Sequence, residues 1–521
     1  MEISVKFELD ARLLPADADE RLQANISTAA GISATDLLSY RIEKRSLDAR
    51  QKPQVKILYQ VTARIRDGVC PKKRVEPPSQ HEAWQAPENS HGLLHPLVVG
   101  AGPAGLFAAL AFAMAGAQPI VIERGKDVVR RKLDIDAFFA LRSLNPESNL
   151  LYGEGGAGTW SDGKLFTRVH DPRSRFVLEE FVRCGAPPEI LYHAHPHIGS
   201  DKLPLVVANL RKRICALGGK FLWERQVTDV VGEGRFQAVQ LANGEIVEAP
   251  MALIACGHSA RPLLLNLSRK LECSLKGFQI GCRIEHPQRF VNYFQYGLEE
   301  PYPSLGAAEY LFSTHGTERI GGATTFCMCP GGEILPATCE EGTLATNGMS
   351  ESRRDGDFAN AAIITTLPPE TFQNPQQAFE LLNSLERNLF IQGGKDYTCL
   401  AQRPEDFITH RRGRIPRETS YRLGLIPGPL DTLLPRNVFE AIKAAILRFD
   451  KLAPGYIQYG LMVGLETKVS SPTRFERNPD TLATSMPGLY MAGEGGGMAG
   501  GIVSAAIDGL KLAEKALATM R

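Results

Sequence analysis

"LVVGAGPAGLFAALAFAMAGAQPIVIER", residues 97–124, carries three glycines in the spacing G-x-G-x-x-G, at Gly100, Gly102 and Gly105. Leu97–Val99 is a short apolar run of strand character. Pro103 stands where the first turn of a helix tolerates it, since its missing N–H is one that a helix start leaves unpaired anyway. An apolar helix is predicted to about Ala115, then a second apolar strand ending at Glu123. Each part has a task in holding a dinucleotide. The glycines allow a tight turn, close approach of a diphosphate and close helix–strand packing, and a carboxylate about 20 residues on accepts ribose hydroxyls. The helix that starts at Pro103 presents the unpaired N–H groups of Ala104 and the next residues, and partial positive charge, to the phosphates. The glycine spacing alone is a weak signal; strand, turn, helix and acid in this order predict adenine-dinucleotide binding.

The same region could be misread. Pro96 to Ile122 holds no charged residue, and that is long enough to cross a bilayer. The glycine turn divides it into strand, helix and strand, so no membrane span is expected. The whole chain has 521 residues and a net charge of +1, which points to several domains and advertises no nucleic-acid or anionic-membrane partner. Its ten cysteines lie scattered without a disulfide framework, as expected of reduced thiols in a cytoplasmic protein. The first residues alternate apolar and polar and lack the basic-then-apolar order of a signal peptide.

The chain divides by pattern. Residues 1–69 are expected to form a small α/β domain, ferredoxin-like in outline, with a strand near Ile3–Leu9, a helix near Ala18–Ala30 and a strand over Gln54–Ile65. From Arg41 to Arg74 there are eleven Lys and Arg against three acids, read as a solvated sheet face and linker, with a partner surface as the alternative. Residues 70–95, Pro-rich and polar, are expected to be a linker. A large α/β region is expected to occupy 96–270 and 482–521, with a more strand-rich unit inserted at 271–481.

Two later stretches complete the large region. Residues 225–261 read as strand, a strand–turn–strand around Asn243-Gly244, and the apolar strand "MALIACG". Residues 488–517, "GLYMAGEGGGMAGGIVSAAIDGLKLAEKAL", give a strand, an acid in a glycine nest and an apolar helix. Here the chain resembles the two-dinucleotide-binding-fold (glutathione-reductase-like) flavoproteins, whose FAD/NAD(P)-binding Rossmann-like three-layer domain is assembled from separated segments. It resembles more narrowly a family of uncharacterised FAD-dependent dehydrogenases, through "NPESNLLYGEGGAGTWSDGKL" (145–165), "PHIGSDKL" (196–203), residues 325–365 and "AGEGGGMAGGIVSAAIDG" (492–509). The resemblance covers the chain from about residue 91 onward and implies FAD as cofactor. It implies that Gly493 and Glu494 hold the ribityl chain, that Gly500, Gly501 and Ile502 lie near the flavin, and that the Val227 backbone meets the adenine. Arg124, Arg131, Ala255 and Gly257 belong to the same implied cofactor set.

"LYGEGGAGTWSDGKLF", residues 151–166, is not a phosphate-binding P-loop, because Leu165 rather than Ser or Thr follows Lys164. Its apolar anchors Tyr152, Trp160, Leu165 and Phe166 argue against a solvated linker. Backbone laid against a flat ligand, where a Cβ would clash, fits better. The resemblance implies that Gly155, Gly156, Ala157 and Gly158 pass along the flavin, with Thr159, Ser161, Asp162 and Lys164 completing that contact. Backbone N–H groups, a helix N-terminus and the Lys164 charge placed there would favour reduced flavin.

Candidates for the chemistry itself are fewer. In "CMCPGG" (327–332), Cys327 and Cys329 would face one side of an extended segment, and a thiolate there could exchange electrons. "HAHPH" places His193, His195 and His197 at strand spacing. Pro196 interrupts it, no metal is assigned, and His197 is taken as a candidate near flavin or substrate. Arg411, Arg412, Arg414 and Arg417 suit a carboxylate or phosphate, as do Arg283 and Arg354, or serve as a basic surface. No second strand–G-x-G-x-x-G–helix unit is evident, so NAD(P)H would dock only transiently as reductant. The expectation is a FAD-dependent oxidoreductase, dehydrogenase or reductase, acting on a small organic substrate, which the arginines would suit if it is anionic. The alternatives are a flavin-binding, RNA-associated protein and a non-catalytic flavin-bound scaffold.

Overall fold

The computed structural model describes residues 1–12, 18–77, 84–87, 94–317 and 320–519. Part of the segment expected to be a linker lies outside them.

The decisive stretch folds as read. Strand Leu97–Val99 enters helix Pro103–Met114, and strand Ile120–Ile122 follows. Every residue from Ala104 to Ala113 is buried, which is why the helix is apolar all round rather than on one stripe. Fully burying Phe107 and Phe112 contributes about 1.5–3 kcal/mol each. Among the described residues no helix is long and apolar enough to cross a membrane.

These strands belong to a five-stranded sheet in the order Leu489–Met491, Ala252–Ile254, Leu97–Val99, Ile120–Ile122, Lys220–Leu222, with every pairing parallel. The chain starts in the middle strand, runs out to one side, then returns to fill the other. The order therefore reverses at Leu97–Val99. Open α/β sheets bind ligands in the crevice outside the carboxyl ends of the strands at such a reversal. The last helix, Ile502–Thr519, packs on Pro103–Met114, and the approach is close because Gly509 has no Cβ: one would lie 2.0 Å from the Ala104 carbonyl oxygen. A three-stranded antiparallel sheet, Val227–Val231, Ala238–Leu241 and Ile246–Glu248, forms a further layer.

Residues between the two halves of the parallel sheet build a six-stranded sheet centred on strand Phe278–Pro287, flanked by Phe358–Leu367 and Leu461–Glu466. A buried Arg283–Glu466 ion pair, 3.0 Å, sits at its heart. The N-terminal sheet pairs Lys56–Ile65 with both Glu2–Asp10 and Leu37–Asp48, all antiparallel, with helix Ala18–Ala30. A ferredoxin-like unit needs strands and helices in the order β-α-β-β-α-β. The described residues here supply three strands and one α-helix, so that expectation is corrected. The edge strand Leu37–Asp48 ties this sheet to the body: Arg45 N–H donates to the Tyr192 carbonyl at 2.8 Å and Ala194 N–H to the Arg45 carbonyl at 2.9 Å.

Candidate functional site

The crevice at the strand reversal is lined first by the glycine turn. Gly100 adopts φ 105°, open to glycine at no steric cost, and a Cβ there would lie 2.4 Å from the Ala255 carbonyl oxygen. A Cβ at Gly105 would lie 1.9 Å from the Gly100 carbonyl oxygen, so this glycine serves helix–strand packing. At Gly102 a Cβ would meet no atom within 4 Å: it would project into the crevice. Gly102 is the N-cap residue and offers no side-chain hydrogen bond to the helix. The N–H groups of the first turn lack intrahelical partners, and Pro103 and Ala104 line the crevice beside them. Such a helix start suits a phosphate-sized anion.

Glu123 is buried at the end of its strand. Its carboxylate accepts from Ala101 N–H at 2.8 Å, Gly125 N–H at 2.8 Å and Gly153 N–H at 3.1 Å. It thus fixes the turn and the glycine loop while lining the crevice. Arg124 also lines it, stacked over Tyr152 at 3.9 Å and paired with Glu147 at 2.7 Å. Val227 contributes from the antiparallel layer, and Ala255 and Gly257 from the end of the neighbouring strand. Gly493, Glu494, Gly500, Gly501 and Ile502 close the opposite side at the start of the last helix. The Glu494 carboxylate is already engaged, by Lys276 at 3.0 Å and Ser471 N–H at 2.8 Å, so its side chain anchors the inserted unit.

The glycine loop divides in two. Gly155 N–H donates to the Ala101 carbonyl at 2.8 Å, laying the loop on the glycine turn, and Gly156, Ala157 and Gly158 line the crevice. Gly155 itself does not line it, because its Cβ position is filled by the Thr159 hydroxyl, 2.0 Å away. Arg131, also expected at the cofactor, is instead buried under the loop, where it donates to the carbonyls of Asn149, Glu154 and Gly156 at 2.7, 2.6 and 3.0 Å. Thr159 and Ser161 likewise turn inward, to the carbonyls of Glu154 and Gly158. Asp162 pairs with Lys164 at 2.7 Å and with Arg354. These five residues are placed away from the crevice because the loop's own buried polar groups need partners.

Lining groups that the sequence did not mark include Tyr152, His258, Asn266 and Thr228. Tyr152 donates to the Ser259 carbonyl at 2.6 Å. His258 Nε2 is buried without a hydrogen-bond partner. Burial, reinforced by the Lys468 and Arg261 charges, pushes its pKa down to about 3. An orphaned buried nitrogen, an open Cβ position at Gly102 and two helix starts facing one crevice fit an elongated, partly anionic group. No local signal in the sequence marks His258, which lies in the turn between strand Ala252–Ile254 and helix Arg261–Ser268.

Cys327, Lys164 and His197 line a second cavity of about 1400 Å³ instead, with Cys329 buried beneath it. Lys164 Nζ lies 3.8 Å from Cys329 Sγ, and His197 Nε2 3.2 Å from the Ser352 carbonyl. The three histidines share this cavity without converging: His195 contacts Glu309, and burial lowers the pKa of His193 to about 4. Among the described residues no group of three or more metal-ligating side chains converges. Arg411, Arg412, Arg414 and Arg417 are exposed, Arg283 is fully occupied by Glu466, Asn360 and Asn347, and Arg354 holds Asp162.

Residues 277–469 match the family model described as "FAD-dependent protein, C-terminal domain-like". The chain belongs to one family with an "Uncharacterized protein" of Clostridium beijerinckii, to which it is 38% identical over 511 residues, 95% of each chain. Residues 5–64 match a domain of unknown function. Among solved structures it is similar to a geranylgeranyl bacteriochlorophyll reductase-like protein from Thermoplasma acidophilum, 14% identical, with 82% of this chain and 79% of that chain covered and a TM-score of 0.36. It is similar also to glycine oxidase from Geobacillus kaustophilus, 12% identical, with 82% and 95% covered and a TM-score of 0.31. Matches of this depth assign no residue and no reaction.

Proposed function

We propose that the protein is a FAD-dependent oxidoreductase that moves a hydride or electron pair between flavin N5 and a small organic substrate. The observation carrying this reading is the pairing of an open Cβ position at Gly102 with a second helix start at Gly501-Ile502 across the same crevice. Residues 96–270 and 482–521 would form the cofactor-binding unit and 271–481 the unit that faces the substrate.

FAD supplies the redox chemistry when bound; the chain's task is to hold and orient it. The N–H groups at Ala104 and Gly105 would take the diphosphate, Glu123 would receive the adenosine ribose, and Val227 would meet the adenine. Gly156, Ala157 and Gly158 would let the backbone lie close to the flexible middle of the cofactor, and the start of the last helix would add positive partial charge. His258, neutral through burial, would gain a partner for its buried Nε2. With NAD(P)H docking only transiently, the reductant would share the substrate's approach. All ten cysteines are free thiols, which supports a reducing, cytoplasmic setting.

Two steps test the reading. Purified protein is loaded with FAD and titrated anaerobically with NADH, then NADPH, then metabolite pools. Bleaching by any of these supports an oxidoreductase. A tightly bound flavin that none of them reduces contradicts it.

A further inference from the structure

One group of reactive side chains has no task in the crevice. Strand Ala323–Cys329 pairs with Phe358–Leu367, but Phe326 opposes Ala362 and Cys329 opposes Asn360. Three steps on one strand thus match two on the other, so an extra residue bulges out. Cys327 sits in the bulge at φ 45°. Bulges re-aim side chains, and a non-glycine residue held in the left-handed region costs about 1–3 kcal/mol unless its surroundings impose it. The regular alternation expected for Cys327 and Cys329 is therefore broken. Cys327 turns onto the 1400 Å³ cavity, and Cys329 stays buried beneath it. Cys329 donates to the Cys327 carbonyl at 3.2 Å, which receives Arg283 at 3.3 Å as well.

The cavity around this pair is basic. Arg45, Lys52, Lys164, Arg353 and Arg354 line it along with a self-paired Arg50–Asp48, and Glu309 is the one other acid among its lining residues. Its walls come from the N-terminal sheet, the "HAHPH" segment and the inserted unit, and its volume exceeds the roughly 300–1,000 Å³ of a drug-sized pocket, which leaves room for a two-armed disulfide.

We propose that Cys327 is a thiolate nucleophile opening onto this cavity, that Cys329 is its resolving partner, and that the cavity receives a low-molecular-weight disulfide bearing carboxylates. The Cys327 sulfur attacks one sulfur of the substrate disulfide. The substrate S–S bond breaks, a mixed S–S bond forms, and one substrate thiolate leaves. Cys329 then attacks the Cys327 sulfur, its proton passing to the second departing substrate thiolate. The cysteine pair ends as a disulfide, having given two electrons to reduce one substrate disulfide to two thiols. Arg45, Lys52 and Arg353, which line the cavity, hold the substrate carboxylates.

The electrostatics agree. The neighbouring Cys329 thiol is the largest influence holding the Cys327 thiol below the ordinary range; burial opposes it, the Lys164 and Arg283 charges assist, and Asp162 opposes. Asp162 is itself neutralised by Lys164 and Arg354, and Glu466 by Arg283. His197 is pushed down by burial and by the Arg354 charge. The neighbouring Cys327 thiol, with burial, raises Cys329, against the Lys164 charge 3.8 Å from its sulfur.

The test uses the full-length chain, reduced, desalted anaerobically and exposed to oxidised glutathione, an anionic disulfide. Peptide mapping should find a Cys327–Cys329 disulfide in the native sequence, a glutathione adduct on Cys327 in Cys329→Ser, and neither in Cys327→Ser. Cationic cystamine should react at least about tenfold more slowly. Iodoacetamide should alkylate Cys327 with a pH midpoint well below the ~8.5 of a free thiol. Adducts confined to other cysteines, or cystamine reacting as fast as glutathione, would overturn the proposal. Should Cys329→Ser fail to fold, the alkylation profile of the native chain decides, and a midpoint at or above ~8.5 sinks the idea. None of these readouts requires bound FAD, so their failure leaves the flavin reading standing, and the reverse also holds.

Discussion

At Gly105 a Cβ would lie 1.9 Å from a backbone oxygen that cannot move without shifting the strand, whereas at Gly102 it would meet nothing. Gly105→Ala should therefore lower stability by about 1–3 kcal/mol through overpacking, read as a fall in the urea midpoint; an unchanged midpoint would contradict the packing role. The three glycines were legible because each spacing answers one steric demand. The partners of Glu494 were not, since Lys276 and Ser471 lie far away in the chain and belong to the inserted unit. Nor could local pattern show that Thr159, Ser161 and Asp162 would satisfy buried groups of their own loop.

Among the elements, helix Val128–Leu141 does for the glycine loop what no loop residue can do. Its Arg131 gathers three carbonyls from the loop and its approach. Arg131→Met keeps the bulk but strands those acceptors, each at about 1–3 kcal/mol if it stays buried. The variant should lose at least about 2 kcal/mol of stability and bind FAD more weakly, as measured by urea titration and by flavin fluorescence. Retention of both would show that the loop stands without it. Elements with long apolar or alternating runs, such as Pro103–Met114 and Lys56–Ile65, could be read directly. Strand Leu37–Asp48 was missed because it is polar and only partly buried along its whole length, and the bulge at Cys327 because a period of two presumes regular pairing.

Across the whole molecule, buried titratable groups couple stability to pH. Burial lowers the pKa of His286 to about 4, against its hydrogen bond to the Tyr456 carbonyl. The unfolded chain takes up this proton first, near pH ~6.5, so stability should fall as pH drops from ~6.5 toward 4, at up to ~1.4 kcal/mol per pH unit for this residue. Burial alone would raise Glu386, but the charges of Arg261 and Lys468 overcome it and bring its pKa down to about 2. Its contribution is complete above the unfolded value near ~4.3 and is lost as pH falls toward 2. Urea midpoints at pH 7, 5.5 and 3.5 should decline in that order; a flat profile would deny that these groups stay buried in their stated charge states. The parallel sheet was legible in its three separated pieces, while the second cavity was not, since it exists only where the N-terminal sheet meets two distant segments.

The most direct measurement is the visible absorption of the purified full-length chain titrated with FAD, run beside Gly102→Val. The native chain should turn yellow and retain the flavin through desalting. Gly102→Val should fold with an unchanged urea midpoint yet bind FAD at least about tenfold more weakly, a loss of about 1.4 kcal/mol. A native chain that stays colourless with FAD in excess, or a variant that binds as tightly, would contradict the account at its centre.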